Sequence, residues 1–357
     1  MKRVAILFLL VGCNGTVNMS GEGTDGGGSG GGGGSGGGAD GGGEGGGSGR
    51  LTILSPQPGK TFKRNDVGKL GYLVAAVPFE LEVPDGTHKV AYHINGGEER
   101  DRVGGPDFAL TVEMRTSGTA NVKVIAYDRD GTELDRAAVE LEAIDPTPGG
   151  CRDWLDLYQV EYTVGPQQPG VDDPVTVKLP INGVRYRYVT LDAPRTSWFM
   201  DCEMAKTLAR NAPILRERDV VEVADIGLYN YRCINHAGTP PNCTYGMSEH
   251  SWGTAIDRAG FKTRDGTFYS VLNHWVIDAN GVGTCAANTE NAKDEFLHDL
   301  ICAEWRNDLW NIALTPNYNS IHRNHFHTDL TPGGDTINLF DVSSEVDVAP
   351  DGWIGDE

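Results

Sequence analysis

A glycine tract near the amino end is the feature that most limits how this chain can fold. Between residues 21 and 49, glycine is interrupted only by Ser, Thr, Ala, Asp and Glu. A segment with so few apolar side chains cannot offset the conformational entropy that folding costs. We therefore predict that residues 13–50 form a disordered tether with a reach of about 30 Å, and that the folded body follows it.

The residues before the tether indicate an export signal. Lys2 and Arg3 precede an apolar run over residues 4–11, which is too short to be a lasting membrane helix. The Leu-Val-Gly sequence before Cys13 resembles the lipobox of bacterial lipoproteins. That resemblance implies a signal peptide over residues 1–12 and a lipid anchor on Cys13. Residue 14 is Asn and not Asp, which in the Gram-negative sorting pattern resembles delivery to the outer membrane. An ordinary signal peptide with an incidental cysteine is the alternative.

The other cysteines favour disulfides. With Cys13 set aside, the remaining six of the seven cysteines all lie after residue 150. An even number in an exported chain indicates disulfides, but the spacing does not choose among the many possible pairings. No Cys-x-x-Cys motif is present, so a cysteine-ligated structural zinc is not predicted. The six candidates are Cys151, Cys202, Cys233, Cys243, Cys285 and Cys302.

The charge of the chain limits the classes of partner that it can bind. A net charge of −20 argues against a nucleic acid as partner, because the phosphate backbone would be repelled. Part of this charge lies in residues 333–357, where seven acidic residues occur without a Lys or Arg. We interpret this segment as a solvated acidic tail. A calcium site is the alternative, but no Asp-x-Asp-x-Asp-Gly loop supports it.

Residues 51–145 have the alternating pattern of an all-β region. Residues 79–83 and 90–94 are typical strands, and each is followed by a turn signal, Pro-Asp-Gly or Asn-Gly-Gly. About six strands at this spacing predict an immunoglobulin-like β-sandwich. The region has no Cys or Trp, so it lacks the core of an antibody domain. We interpret it as a spacer or a weak binding module.

A second folded region begins after a linker rich in Pro and Gly, residues 144–150. Residues 186–191 alternate like a strand, whereas residues 201–212 and 291–307 have apolar residues at helical spacing. Mixed elements and three possible disulfides predict an α+β domain over residues 151–332.

Four of the nine histidines fall in two short strings of this domain. Residues 248–257 read Ser-Glu-His-Ser-Trp-Gly-Thr-Ala-Ile-Asp, and residues 322–330 read His-Arg-Asn-His-Phe-His-Thr-Asp-Leu. Two imidazoles and one carboxylate are the ligands of a zinc ion that keeps one position open for water. Zinc-bound water loses its proton near neutral pH, which suits hydrolysis. We predict His250, Asp257 and His327 as the ligands.

The spacing within the strings supports one shared site. His325 and His327 point to the same face of a strand, because side chains two apart share a face. Asp257 lies on a second predicted strand, and Gly253 supplies a bend that brings His250 round to it. Ser248 is the predicted hydrogen-bond partner that fixes the tautomer of the His250 ring. A buried structural pair of histidines is the alternative.

The combined motifs resemble a known group of zinc enzymes. Ser-x-His-x-x-Gly-x-Ala-x-Asp resembles the first zinc motif of the LAS metallopeptidases, which include D-alanyl-D-alanine carboxypeptidases and the hedgehog fold. The match is closer to the extensin-like C-terminal domain family, through Ser-Glu-His, Ala-Ile-Asp, His-Phe-His-Thr-Asp-Leu and the Cys-Glu-Met-Ala segment at Cys202. The resemblance covers residues 151–332. It implies a LAS-type domain in which His250, Asp257 and His327 hold one Zn2+.

The same resemblance implies further roles. Arg232, in the sequence Tyr-Arg-Cys, is a candidate for holding a substrate carboxylate, because its planar fork suits that partner. A structural ion pair is the alternative for this residue. The family pattern pairs Cys151 with Cys202 and Cys233 with Cys302, which leaves Cys243 with Cys285.

One departure from the carboxypeptidase pattern concerns the general base. Those enzymes use the Glu of a Glu-x-x-His string, whereas the corresponding stretch here has His-x-x-His-x-His and no Glu. It resembles the penicillin-insensitive murein endopeptidases instead. His325 is then the predicted base for the attacking water, and His322 the predicted donor to the oxyanion.

These observations favour a zinc-dependent peptidase or amidase that acts on peptidoglycan stem peptides at the cell envelope. A zinc-containing wall-binding module without catalysis is the main alternative, and a purely structural lipoprotein is a third. The ligand set also suits other divalent ions. A serine hydrolase and a nucleotide-binding protein are disfavoured, because neither Gly-x-Ser-x-Gly nor a phosphate-binding loop occurs.

Overall fold

The computed structural model of the chain describes residues 49–105, 107–278 and 283–337. The predicted signal peptide, the lipid site Cys13, the tether up to residue 48 and the acidic tail beyond residue 337 lie outside the described residues. None of the helices in the described part combines the length and the apolar character needed to cross a membrane.

The first folded region consists of two β-sheets, and the all-β prediction for residues 51–145 is confirmed. One sheet has the order β1-β4-β3 with β7 also paired to β4, and the other has the order β2-β9-β8-β5-β6. Alternate residues of both sheets enter one apolar core, as a strand with one buried face requires. The strands are β1 (Thr52–Ser55), β2 (Thr61–Lys63), β3 (Asp66–Val67), β4 (Leu73–Glu82), β5 (Lys89–Ile94), β6 (Arg100–Gly104), β7 (Leu110–Met114), β8 (Gly118–Tyr127) and β9 (Glu133–Ile144).

The second region mixes helices and strands, as predicted. Its helices are α1 (Cys151–Leu157), α2 (Cys202–Glu217), α3 (Val271–His274) and α4 (Ala292–Arg306). Its strands are β10 (Tyr162–Val164), β11 (Pro174–Lys178), β12 (Arg185–Tyr188), β13 (Ser197–Asp201), β14 (Val220–Gly227), β15 (Gly238–Thr239), β16 (Asn242–Cys243), β17 (Ala255–Thr263), β18 (Phe268–Ser270), β19 (Ile312–Leu314), β20 (Phe326–Asp329) and β21 (Thr336–Ile337). Short 3-10 helices cover Ile234–His236, Glu249–Trp252, Thr284–Ala286 and Ser320–His322.

The central sheet of this region carries both histidine strings. Its order is β12-β14-β17-β20-β19-β21, and β18 also pairs with β17. Strands β17 and β20 are antiparallel neighbours, and their register sets Asp257 opposite His327. Helices α2 and α4 contribute their apolar faces to the core beside this sheet, so both helix predictions are confirmed.

A buried ion pair anchors strand β17 to helix α4. Arg258 donates from both terminal nitrogens to the carboxylate of Glu304, at 2.6 and 2.7 Å. The indole N–H of Trp310 also donates to Glu304, at 2.8 Å. Side chains alternate along a strand, so this contact turns the neighbouring Asp257 to the opposite face of the sheet. The anchor therefore fixes which way the predicted ligand points.

The two regions pack against each other. Leu73, at the start of β4, lies in the apolar core of the second region. Glu217, at the end of α2, accepts a hydrogen bond from the Tyr72 hydroxyl at 2.9 Å and one from Arg115 at 2.9 Å. The β-sandwich is therefore held to the last turn of α2 by both apolar and polar contacts.

Three disulfides stabilise the second region, which is typical of an exported protein. The predicted Cys151–Cys202 bond is confirmed. The other two implied pairs are wrong, because Cys233 bonds Cys243 and Cys285 bonds Cys302. The β15–β16 hairpin returns Cys243 to Cys233, and the 3-10 helix Thr284–Ala286 sets Cys285 against α4. The fold therefore decides both pairings, because it brings the two members of each pair together.

A glycine turn leads from the first histidine string into the central sheet. Gly253 follows the 3-10 helix Glu249–Trp252 in the left-handed conformation, with φ of 70°. Its carbonyl accepts a hydrogen bond from the Asp201 N–H at 3.2 Å. A Cβ at this position would lie 2.9 Å from the Asp201 nitrogen. Only glycine tolerates both the conformation and the close approach.

The disulfide pairing predicts a specific set of tryptic fragments under non-reducing conditions. Fragment 233–258 should carry an internal disulfide and no partner, whereas fragments 265–293 and 294–306 should stay linked. Mass spectrometry checks this, with a reduced sample as the control in which the linked pair separates. A species that joins all three fragments would mean that the family-implied pairing is right.

Gly253→Ala should destabilise the second region by about 3 kcal/mol, because left-handed strain and overpacking add. Gly266→Ala is the matched control: Gly266 has φ of +92° but nothing within 4 Å of an added Cβ. It should cost only about 1 kcal/mol. Urea unfolding followed by tryptophan fluorescence measures both, since all seven tryptophans lie after residue 150. Equal losses for the two variants would show that the close approach to Asp201 is unimportant.

Candidate metal centre

The structure brings together the three side chains that the sequence predicted as metal ligands. One nitrogen or oxygen from each of His250, Asp257 and His327 lies within 4.8 Å of the others. His250 Nε2 is 3.2 Å from Asp257 Oδ2, and His327 Nδ1 is 2.8 Å from Asp257 Oδ1. The β17–β20 register supplies two of these residues, and the turn at Gly253 brings in the third.

The outer nitrogen of each ligand ring has its own hydrogen-bond partner. His250 Nδ1 lies 2.6 Å from the carbonyl oxygen of Leu228, and His327 Nε2 lies 3.0 Å from Asp329 Oδ2. A carbonyl only accepts hydrogen bonds, so His250 carries its proton on Nδ1 and directs Nε2 inward. Metal-binding histidines characteristically have such outer partners, which set the ring orientation.

The predicted role of Ser248 is therefore wrong: the Leu228 carbonyl fixes the His250 ring. The segment after β14 runs alongside the first histidine string, with the Asn230 N–H donating to the His250 carbonyl at 3.0 Å. Ser248 contributes through its backbone, since its N–H donates to the Arg232 carbonyl at 3.0 Å. A backbone acceptor 22 residues away leaves no signal in the sequence. Asp329 does leave one, because it lies two residues after His327 and therefore shares its face of the strand.

The donor set fits a divalent cation. His250 Nε2 is buried and has no hydrogen-bond partner within the described residues. With the proton on Nδ1, His250 Nε2 and Asp257 Oδ2 are both acceptors, and no hydrogen bond joins them. If the ring carried a second proton, the same two atoms would form an ion pair. The Leu228 carbonyl decides between these two states, because its short contact places the ring proton on Nδ1 and leaves Nε2 with a lone pair. An inward lone pair opposite a carboxylate oxygen is the arrangement that a cation satisfies.

The pKa values of the cluster are shifted mainly by burial and by hydrogen bonds between the imidazoles and the carboxylates. Burial alone would raise the pKa of Asp257, but the imidazoles of His250, His325 and His327, when they carry protons, would together hold it well below its usual value. Burial alone would lower the pKa of His327, but its bonds to Asp257 and Asp329 raise that pKa to about 10. With these neighbours alone His327 carries a proton, which metal binding would release.

The other two histidines line the same centre. His325 Nε2 lies 3.5 Å from Asp257 Oδ1, and its Nδ1 lies 2.7 Å from the side-chain oxygen of Asn324. His322 Nδ1 lies 2.7 Å from Asn319 Oδ1, which also accepts from two backbone N–H groups. Burial, and then its histidine neighbours, hold the pKa of His322 well below the usual value. A neutral His322 that donates to Asn319 presents Nε2 as an acceptor.

Arg232 and Glu249 flank the centre. The Arg232 backbone lies beside the first string, since its N–H donates to Ser251 Oγ at 2.9 Å and its carbonyl accepts from that hydroxyl at 2.8 Å. The role of its guanidinium in binding substrate stays a prediction. The Glu249 carboxylate accepts from the Thr254 hydroxyl at 3.1 Å, and burial raises its pKa.

Comparison with known proteins identifies the second region. The family model described as extensin-like protein C-terminus matches residues 155–337. No curated protein matches the chain at a significant level. Among solved structures, the chain is similar to the fibronectin(III)-like modules of Clostridium thermocellum CbhA, with 14% identity, 27% of this chain and 99% of that chain covered and a TM-score of 0.22.

Two further solved structures match over small parts of their length. The extracellular domain of a putative one-component system from B. thetaiotaomicron has 14% identity over 28% of this chain and 15% of that chain, with a TM-score of 0.18. A β-glucuronidase from Parabacteroides merdae has 10% identity over 38% of this chain and 16% of that chain, with a TM-score of 0.20. The family match covers 183 of the 357 residues, and the chain therefore belongs to the extensin-like protein C-terminus family.

Proposed function

We propose that this protein is a zinc-dependent peptidase or amidase that cleaves peptidoglycan stem peptides, with a domain related to the LAS metallopeptidases. The observation that carries the proposal is the convergence of His250, Asp257 and His327, with Leu228 and Asp329 holding the outer ring nitrogens. A structural histidine cluster would not need an inward nitrogen that lacks a hydrogen-bond partner among the described residues.

The side chains around the centre have complementary roles in this proposal. Bound zinc would supply a Lewis acid and would lower the pKa of water. His325, held by Asn324, accepts a proton from the water that adds to the amide carbonyl carbon. When the C–N bond breaks, the same proton passes to the leaving amine. His322 presents Nε2 as an acceptor, so it suits a hydrogen-bond acceptor for the water or substrate better than the oxyanion donor that the resemblance implied.

The location of the protein supports a substrate in the cell wall. Three disulfides fit an exported protein. A lipid on Cys13 would hold the enzyme at the outer membrane, from which it could reach the wall. The β-sandwich would then act as a spacer or a weak wall-binding module.

A zinc-containing module without catalysis is the second candidate. The observation that favours it concerns the general base: among the described residues of the centre, no Glu is placed for that role. The second histidine string has no Glu, and Glu249 already accepts a hydrogen bond from Thr254. In this case the protein would bind metal and wall but release no products.

Asp257→Ala should remove both bound metal and cleavage, because it deletes the carboxylate that contacts both ligand histidines. Elemental analysis measures zinc, and mass spectrometry of fragments released from purified sacculi measures cleavage. Asp130→Ala, an exposed carboxylate of the β-sandwich, is the control and should change neither. Cleavage that survives in Asp257→Ala would refute a zinc-dependent mechanism at this centre, whereas zinc without any cleavage by the unaltered protein would favour the binding module.

Asp329→Asn should weaken zinc binding by about 10- to 100-fold, because the His327 ring loses its anionic partner. Competition with a chelating dye measures the affinity. Asp299→Asn removes a carboxylate from a half-exposed ion pair with Arg218 and should leave the affinity unchanged. The same zinc affinity in Asp329→Asn and the unaltered protein would mean that Asp329 does not support the ligand.

A further inference from the structure

A cavity lies where the β-sandwich meets helices α1 and α2. Its volume is about 370 Å³, which is at the small end of the range for pockets that bind small molecules. The first region and the linker contribute Arg64, Leu73 and Asp145 to its wall, and the helices contribute aromatic rings and cations. None of the described residues that line it belongs to the candidate metal centre. We call it the junction cavity.

Each of the two helices gives the junction cavity a pair of side chains four positions apart. Trp154 of α1 and Tyr158, which directly follows α1, are stacked, with ring centroids 6.2 Å apart. Lys206 and Arg210 have the same spacing on α2. The disulfide between the first residues of the two helices holds α1 against α2, so the rings and the cations line one space.

The charges around the junction cavity do not balance. Two of its three cations have carboxylate partners: Arg64 pairs with Asp145, and Lys206 pairs with Glu203. Arg210 has no carboxylate partner among the described residues. One positive charge is therefore left over at the cavity.

The polar contacts of Arg210 are also weak. One terminal nitrogen of its guanidinium lies 3.4 and 3.5 Å from the backbone carbonyl oxygens of the two residues that follow α4. Both distances are beyond the usual range for an N–H···O bond. The guanidinium has five N–H donors in a planar fork, so it can still bind a carboxylate.

A buried hydroxyl lies beside this cation. Tyr158 is only 7% exposed, and its hydroxyl forms no hydrogen bond with another described residue. Burial raises the pKa of Tyr158, so the phenol keeps its proton and is a donor. The charges that act on this phenol are those of Arg210, Arg64 and Asp145, which all line the junction cavity. Buried polar groups normally have a partner, and a ligand in the cavity can supply this one.

We propose that the junction cavity binds a small molecule that carries one carboxylate on a planar ring. The carboxylate accepts hydrogen bonds from the Arg210 guanidinium and the Tyr158 hydroxyl, and the ring packs against Trp154. One unpaired cation matches one carboxylate, whereas a phosphate monoester would bring nearly two negative charges. This second site does not depend on the proposed function, and it gives the β-sandwich a part in ligand binding.

Benzoate is the probe, and benzamide is its uncharged control of similar size and shape. Calorimetric titration of the full-length protein should give a dissociation constant of about 1 mM for benzoate. Benzamide should bind about tenfold more weakly, because it brings no charge to Arg210. Phenyl phosphate should bind no more tightly than benzoate, because its second charge has no partner. Equal binding of benzoate and benzamide, tighter binding of phenyl phosphate, or no binding of benzoate at millimolar concentrations would each overturn the proposal.

Two variants locate the bound benzoate. Arg210→Gln should weaken its binding about tenfold and leave that of benzamide unchanged. Tyr158→Phe keeps the ring and should also cost about tenfold, because a hydrogen bond to a charged group is lost. Arg264→Gln is the matched control: this side chain is 71% exposed and lies outside the cavity, so benzoate should bind as before. Urea unfolding by tryptophan fluorescence confirms that each variant is folded. The same benzoate affinity in Arg210→Gln and Arg264→Gln would contradict the proposal.

Asp257→Ala separates the junction cavity from the candidate metal centre, where a carboxylate could bind a metal ion. Benzoate should bind equally well to Asp257→Ala and to the unaltered protein. Binding that is lost in Asp257→Ala but kept in Arg210→Gln would place benzoate at the metal centre and overturn the cavity proposal. A failure to release fragments from sacculi, by contrast, would count against the hydrolase and would not change the benzoate result.

Discussion

The pairing of β17 with β20 is the constraint on which the candidate site depends. Directly opposed residues of an antiparallel pair lie about 4.5–5.5 Å apart, so the register that sets Asp257 against His327 also sets their side chains in contact. A shift of one residue would turn Asp257 toward the helices and Arg258 toward the site. The buried Arg258–Glu304 pair opposes that shift, because the shift would turn Arg258 away and leave the buried Glu304 carboxylate without it.

Helix α2 links this pairing to the rest of the molecule. At its first end, the Asp201 side chain accepts from the Glu203 N–H, and the Asp201 N–H donates to the Gly253 carbonyl. At its other end, Glu217 binds Tyr72 and Arg115 of the first region. One rigid helix of 16 residues therefore connects the β-sandwich to the turn that positions His250. The sandwich can support the geometry of the site without contributing a reacting group.

Within the site, each imidazole has one nitrogen that faces the centre and one that is hydrogen-bonded to a group on the outer side of the ring. The outer partners differ in kind: a backbone carbonyl for His250, a carboxylate for His327, and side-chain oxygens of asparagine for His325 and His322. Hydrogen bonds to Asp257 and Asp329 raise the pKa of His327 to about 10, whereas burial among other rings holds the pKa of His322 well below its usual value. The histidines of this centre are therefore not interchangeable, although the sequence presents them as one cluster.

The sequence by itself determined the residue types of the site and the periodicity of its elements. Alternation predicted the β-region and the shared face of His325 and His327, helical spacing predicted α2 and α4, and a glycine was needed where the chain turns between two motifs. Tertiary structure alone decided the Cys233–Cys243 and Cys285–Cys302 pairs and the acceptor for His250. Side-chain periodicity is a local property that a sequence records directly. A disulfide partner or a backbone acceptor depends on which distant segments meet, and a carbonyl is the same at every residue.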